Sequence, residues 1–400
     1  MGMTDKGSER IVAMDAIRGV AVMGILCLNI IVFAMPQAAA SNPRAYGLHT
    51  PIDLWVWIVD FVALDGRMRG LFSLLFGASM LLIVDRAGPR GAAVHFRRMA
   101  ALLAFGLIHA VLIWHGDILV LYAATGALAW VFHDQRPRTL LLIGLASLAL
   151  NALLMASMPL AVLAGPSASA GFAPYFTPDA AKLASELALY RGSYGGIVAD
   201  NLHELGQVLT SMWFVGTETL GYMLLGMAAY RGGMLTGQWR RRSYVAWAVL
   251  ALTIGAAIHA LVAWWMIGRG FDLLAGTTGM TLLPVRVPMV LGYVALILLL
   301  IRRGGPITTR VAAAGRMAFT NYLATSVVMC LIFYGYGFGL FGHVSRAIAY
   351  LAVLGMWAAM LLWSRPWLDR FAYGPLEWAW RSLARGSLQP MRAEPRLARD

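Results

Sequence analysis

The chain has 400 residues, 60% of them hydrophobic and 13% charged, with a mean hydropathy of +0.69. Soluble domains carry roughly 25% charged residues, so the charges here are too few to coat a soluble surface. The composition excludes a soluble enzyme, a disordered chain and a fibrous protein, and it leaves an integral membrane protein.

A spanning helix needs about 20 mostly apolar residues to cross a hydrocarbon core of about 30 Å. Ten such segments are predicted, at 14–34, 54–84, 96–115, 117–133, 139–164, 205–230, 244–268, 280–301, 311–340 and 346–364. An ionisable group inside one of them costs about 2.5–3.5 kcal/mol on insertion scales, so each needs a partner, a wet cavity or a task. In the first segment Asp15 and Arg18 share a face near one end, with Asn29 about three turns deeper. Polar punctuation and length argue against reading this segment as a cleaved secretory signal.

The second segment is interrupted by Asp60, Asp65, Arg67 and Arg69, with Gly66 and Gly70 among them. Glycine lets backbone leave helical geometry, and irregular backbone at depth survives only against protein or a wet cavity. The break therefore reads either as an anion or polar-substrate site or as a structural charge cluster. His109 lies in the third segment, followed by Trp114, His115, Gly116 and Asp117. Asp117 can cap the fourth helix, or it can orient His109 as a general base. His115 is expected to be exposed.

The fifth segment leads into one long outer loop, 165–204, whose opening is rich in turn residues. A short amphipathic helix is expected at 178–190, read as a cap lying on the membrane surface or as a substrate lid. Glu218 sits in the sixth segment. It should pair with Arg67, Arg69 or Arg286, or take up a proton as a coupling group would. His259 in the seventh has no sequence-local partner. In the ninth, Arg316 and Asn321 stand five apart and suggest an inner polar pocket, or a snorkelling arginine.

Basic residues set the orientation. If the N-terminus is cytoplasmic, the inner segments hold 24 of the 32 Lys and Arg. Both termini should then face the cytoplasm, and the charge of +13 needs no nucleic acid partner. The expected organisation is one all-α transmembrane bundle over residues 1–383 and a basic cytoplasmic tail over 384–400. Cys27 and Cys330 lie in apolar runs and supply neither a disulfide framework nor metal-ligand spacing. No nucleotide-binding, zinc-protease or serine-hydrolase motif stands in a credible context.

A set of short motifs carries a resemblance. They are Asp15-Ala16-Ile17-Arg18-Gly19, Leu28-Asn29-Ile30, Phe72-Ser73-Leu74-Leu75-Phe76-Gly77, Gly106-Leu107-Ile108-His109 and Trp114-His115-Gly116-Asp117-Ile118-Leu119. Gly315-Arg316-Met317-Ala318 with Asn321-Tyr322, and Gly374-Pro375-Leu376-Glu377-Trp378 with Trp380-Arg381, complete it. In these the chain resembles the YeiB family of bacterial inner-membrane proteins, also called domain of unknown function 418, from residue 11 to about 383. The resemblance implies kinship with transmembrane acyltransferases. Those enzymes take an acyl group from cytoplasmic acyl-CoA and pass it to an acceptor on the far side. The catalytic histidine of the lysosomal relative has no match here, because position 40 is Ala40. The histidine that bacterial polysaccharide acyltransferases pair with their arginine has none either, since Asn29 stands eleven residues after Arg18.

What the resemblance implies is an acyltransferase; with those histidines unmatched, His109 or His49 must serve instead, and in the expected scheme His109, oriented by Asp117, deprotonates a sugar, lipid or envelope acceptor. Arg18, Arg67 and Arg69 would hold the donor, and Asp15, Asn29 and Glu218 would line the passage. Asp65, Arg316 and Asn321 complete the candidate binding set. Acyl-CoA is the expected co-substrate, with no covalently bound cofactor and no metal, and membrane lipids are the expected surroundings. The alternatives are a proton-coupled transporter using Glu218 with the Asp65–Arg69 break as its substrate site, or a lipid- or quinone-binding scaffold.

Overall fold

A computed structural model describes residues 3–302 and 304–392. The side chains of Lys6 and Arg10, residue Arg303, and the part of the basic tail beyond 392 lie outside the described residues.

Among the described residues every regular element is helical, apart from one isolated bridge between Phe371 and Arg392. The first half of the chain forms α1 (Met3–Ala34), α2 (Pro51–Val59), α3 (Arg67–Ala87), α4 (Gly91–Leu112), α5 (Leu119–Ala129) and α6 (Pro137–Ala164). The outer loop contains α7 (Pro166–Ser169), α8 (Ala173–Phe176) and α9 (Ala180–Tyr190). Then come α10 (Tyr194–Arg231), α11 (Arg241–Gly268), α12 (Leu273–Met280) and α13 (Leu283–Ile301). The chain ends in α14 (Pro306–Arg316), α15 (Ala318–Phe333), α16 (Arg346–Arg370) and α17 (Pro375–Arg385). The fold is thus an all-α polytopic bundle.

Each of the ten expected segments falls on a helix. By length and apolarity six stretches qualify as spans, with Pro51–Leu112 as one continuous stretch, and a seventh is added if α14 and α15 count as one span. Two segments differ from the simple expectation. The fourth becomes α5, whose 11 residues reach about 16 Å at 1.5 Å each, half of the hydrocarbon core. The ninth is not one rod, because α14 and α15 meet at an angle of 80°.

In lipid, helices associate through close packing, and small residues at the contact permit it. A Cβ on Gly19 would stand 2.1 Å from the Val311 carbonyl oxygen, so α1 and α14 touch backbone to backbone. Likewise a Cβ on Gly226 would stand 1.8 Å from the Leu74 carbonyl oxygen, and α10 lies directly on α3. The main core fills the space among α1, α3, α4, α5, α10 and α13. A second cluster joins the outer half of α1 to α15 and α16.

The outer loop is a packed cap. α9 is capped by Asp179, which accepts from the Lys182 amide at 2.8 Å, and it falls where the amphipathic helix was expected. Glu186 accepts from the Gln37 amide at 3.0 Å, and Arg191 donates to the Phe341 carbonyl at 2.8 Å. These bonds tie the cap to the end of α1 and to the loop after α15.

Candidate functional site

Eight arginines meet at one end of the bundle. Arg18, Arg86, Arg90, Arg97, Arg98, Arg316, Arg381 and Arg385 line a vestibule of about 800 Å³, with Asp15 and Glu377 as its two carboxylates. All eight come from segments that the sequence assigns to the cytoplasmic face. Arg18 donates to Asp15 Oδ1 and to Ser79 Oγ, each at 2.9 Å, which fixes its guanidinium at the rim. The local ion pair expected from their spacing is present.

The vestibule continues into a chamber of about 160 Å³, and Arg18, Arg98, Arg316, Glu377 and Arg381 line both. Beyond them the walls are apolar: Phe72, Leu75, Phe76, Met80, Met99 and Leu102, ending at Leu119, Tyr122 and Tyr322.

Helix α17 builds the shared rim. Glu377 and Arg381, four apart, fall on one face. Trp380 donates from Nε1 to the Arg98 carbonyl at 2.9 Å, while the Arg98 guanidinium sits 4.0 Å from a Trp380 ring centroid. The bend between α14 and α15 frees amides at the start of α15, which a carboxylate suits in charge and geometry. Glu377 supplies it, accepting from the amides of Phe319 at 2.7 Å and Thr320 at 3.1 Å and from the Thr320 hydroxyl. Burial raises the pKa of Glu377, against the pull of those bonds.

Behind Tyr322, just beyond the far end of the chamber and not lining it, lies the pair read as a candidate base and its orienting group. His109 Nδ1 and Asp117 Oδ2 are 2.7 Å apart, with side chains 1% and 2% exposed. Asp117 uses Oδ1 to accept from the Val120 amide at 2.8 Å, so it caps α5 and holds His109 at once. A carboxylate only accepts; the shared proton therefore belongs on Nδ1 and leaves the Nε2 lone pair bare. His109 Nε2 makes no hydrogen bond among the described residues. The His109 ring stands 5.3 Å from that of Tyr322, which lines the chamber. Asn29 lies on the other side of Tyr322, lining a small void with it.

A chain of rings runs outward from this pair. His109 lies 6.5 Å from Trp114, Trp114 lies 5.8 Å from His115, and His115 lies 6.1 Å from Tyr190. His115 is half-buried rather than exposed, because its Nδ1 meets the Tyr190 hydroxyl at 3.2 Å under the cap. It lines an outer pocket of about 260 Å³ with Gln37, Lys182, Glu186, Asp200 and Glu204.

The break in the second segment has a different character. The chain leaves α2 through a π-helical turn, Asp60–Leu64, and swings at Gly66, whose φ of +71° favours glycine. Arg67, fully buried, donates to the carbonyls of Phe61 at 2.8 Å and Asp65 at 2.6 Å, satisfying oxygens that the irregular turn exposes. Arg286 donates to Asp65 at 2.7 Å, and Arg69 donates to Glu218 at 2.8 Å. These pairs tie the break to α13 and α3 to α10. Arg67, Arg69, Asp65 and Glu218 line neither the vestibule nor the chamber.

Arg316 and Asn321 part company at the bend. Arg316 is exposed and lines both cavities. Asn321 is fully buried, donating to the Ala314 carbonyl at 3.0 Å and accepting from Trp363 Nε1 at 3.0 Å, which clasps α14, α15 and α16 together. His259 is also fully buried, with Nδ1 on the Gly255 carbonyl at 2.8 Å.

Sequence reasoning passed over Arg98, Arg381, Glu377 and Tyr322 as site residues. The signal for Glu377 and Arg381 lay in the Glu377-Trp378-Ala379-Trp380-Arg381 run, which mixes charged and aromatic residues on one helix.

The family model described as "Protein of unknown function (DUF418)" matches residues 229–387. The uncharacterized protein YeiB of Escherichia coli K12 is 32% identical over 384 residues, covering 94% of this chain and 96% of the relative. The uncharacterized protein YxaH of Bacillus subtilis 168 is 32% identical over 405 residues, covering 96% of each chain. No solved structure matches this chain. With relatives this similar along nearly its whole length, the chain belongs to the YeiB family of membrane-helical proteins of unknown function.

Proposed function

We propose that this protein is a membrane-bound acyltransferase of the bacterial inner membrane, drawing on cytoplasmic acyl-CoA to acylate a hydroxyl of an envelope acceptor. The observation that carries this reading is the continuity of an eight-arginine vestibule with an apolar chamber that ends at Tyr322, beside the His109–Asp117 pair. Coenzyme A is polyanionic at its nucleotide end, and arginine binds phosphate by strong charge-assisted bonds. Its acyl end is apolar. A cavity charged at the mouth and apolar within suits the nucleotide at its rim and leads the pantetheine arm and its thioester inward to Tyr322, beside His109.

In this reading His109 Nε2 takes the proton of the acceptor hydroxyl as its oxygen attacks the thioester carbonyl. A carbon–oxygen bond forms and the carbon–sulfur bond breaks. The departing thiolate leaves as coenzyme A thiol after receiving the proton from the imidazolium, and Asp117 stabilises that cation and fixes its tautomer. The acceptor approaches from the side of the outer pocket, where Trp114, buried between His115 and His109, closes the way and has to move. Arg69 with Glu218 serves as a structural ion pair and Arg67 as a donor to the carbonyls of the break, rather than as donor-substrate ligands, and Asn321 serves as a clasp. A proton-coupled transporter would rest on Glu218, whose Oε2 is held by Arg69.

The test is transfer of radiolabelled acyl groups from acyl-CoA to lipid and glycan fractions by protein in native-membrane vesicles. Transfer that disappears in His109→Ala, with coenzyme A binding retained, supports the proposal. An active His109→Ala variant, or wild-type protein that binds no coenzyme A, overturns it.

A further inference from the structure

We infer that the vestibule reads both phosphate groups of coenzyme A through two tiers of arginine, an inner one at the diphosphate and an outer one at the 3′-phosphate of the ribose, and so prefers coenzyme A to its dephospho form; this rests on the acyltransferase reading above. The vestibule is rich in charge that nothing neutralises. Among the described residues only Arg18 of its eight arginines forms an ion pair, with Asp15 at 2.9 Å. The other carboxylate, Glu377, is spent on the amides of Phe319 and Thr320. Like charges gathered without counter-ions attract a polyanion.

The order of groups along the donor gives each tier its phosphate. The thioester has to reach Tyr322 at the inner end of the chamber. The pantetheine arm then fills the chamber, the diphosphate stands at its mouth, and the ribose with its 3′-phosphate lies farther out. Arg18, Arg98, Arg316 and Arg381 line both cavities, so they stand where the diphosphate falls. Arg86, Arg90, Arg97 and Arg385 line the vestibule and not the chamber. A Cβ on Gly386 would stand 3.6 Å from Arg97 Nη1, so Arg97 reaches the end of α17 next to Arg385.

Exposure separates the tiers. The outer four are exposed, whereas Arg18, Arg98 and Arg381 of the inner tier are half-buried. Salt screens exposed charges strongly and partly buried ones much less. The hold on the 3′-phosphate should therefore fade with salt while the hold on the diphosphate lasts.

The experiment measures binding of coenzyme A and dephospho-coenzyme A to the full-length protein in phosphatidylcholine nanodiscs, which bring no anionic lipid, with empty discs subtracted. At about 0.1 M salt coenzyme A should bind about tenfold tighter, and the ratio should approach one at about 1 M, where the Debye length is about 3 Å. Arg90→Gln with Arg97→Gln should bring coenzyme A down toward the affinity of the dephospho form and leave that form nearly unchanged. Arg316→Gln should weaken both by the same factor. Arg240→Gln with Arg241→Gln removes as much charge from the same predicted face but lies outside both cavities, and it should change neither. All five side chains are exposed, which guards against a folding defect. Equal affinity for the two ligands overturns the inference and leaves the acyltransferase reading in place. So does a preference that survives the loss of Arg90 and Arg97, or one that vanishes equally with Arg240 and Arg241. Folded wild-type protein that binds neither ligand overturns both.

Discussion

Gly315 lies directly on Asp15: a Cβ on the glycine would stand 1.9 Å from the Asp15 carbonyl oxygen and 2.5 Å from the Gly19 amide nitrogen. Two short motifs far apart in the chain are therefore the two halves of one helix contact. That contact brings Asp15, Arg18 and Arg316 to a common vestibule. Adding a methyl at Gly315 must push α14 off α1, and overpacking of this kind costs about 1–3 kcal/mol. Gly315→Ala should lower the thermal midpoint in detergent and weaken coenzyme A binding together. Gly355→Ala, on α16 with nothing within 4 Å of the new methyl, should do neither. A Gly315→Ala protein as stable as wild type would show that the two helices are not in contact.

Asp117 has two bonds, one to His109 and one to the Val120 amide. Replacing it with Asn keeps the cap through the side-chain oxygen and can turn the amide N–H toward His109. Nδ1 must then accept, the imidazole proton moves to Nε2, and the base is blocked. Asp117→Asn should thus reduce acyl transfer by roughly 10²–10⁴-fold, the share general-base catalysis commonly supplies. Coenzyme A affinity and thermal midpoint should stay near wild type. Transfer rates at wild-type level would remove Asp117 from the mechanism.

The sequence disclosed more of the bundle than of the site, and particular residues show why. Apolar runs report spans directly, so every expected segment has its helix, and Asp15 with Arg18 paired as their spacing implied. Glu218 with Arg69 could be narrowed only to one of three arginines, because partners in different helices are chosen by packing. Arg98 and Arg381 were counted as inner-loop charges; only the approach of α17 to α4 turns them into a rim. Asn321 looked like a pocket residue because a polar group in an apolar run reads the same whether it faces a cavity or clasps a bend. The 80° turn at Met317 contains no proline, its neighbouring Gly315 is spent on the contact with α1, and its stabiliser, Glu377, lies in another helix.

Glu218 separates the structural and transport readings of the buried charges. Its Oε2 binds Arg69 at 2.8 Å, with the carboxylate side chain 7% and the arginine 37% exposed. Glu218→Gln leaves a neutral acceptor beside a cation, a loss of about 1–3 kcal/mol when a buried charged bond is weakened. The thermal midpoint should fall, while coenzyme A binding in the vestibule and acyl transfer per folded molecule stay unchanged. Loss of a proton-dependent flux in liposomes from a variant of undiminished stability would assign Glu218 to coupling instead.

Glu377 gives the rim a pH dependence whose sign can be worked out. Burial raises its pKa above the ordinary 4.5, so the folded protein holds this proton more tightly than the unfolded chain. The stability that the group contributes is then complete below that ordinary value and is lost as pH rises through the raised one. Glutamine at this position does not titrate. It still offers one oxygen to the amides of Phe319 and Thr320, though not a second to the Thr320 hydroxyl. Glu377→Gln should therefore flatten the difference in thermal midpoint between acidic and neutral buffer, with the two proteins closest in acidic buffer, where the wild-type carboxyl is as neutral as the amide. Its amide also removes one of the vestibule's two negative charges, so coenzyme A should bind at least as tightly as to wild type. A variant that keeps the full pH slope would place the titrating group elsewhere. One that loses coenzyme A binding while folded would make Glu377 a donor ligand rather than the cap that holds α15 at its bend.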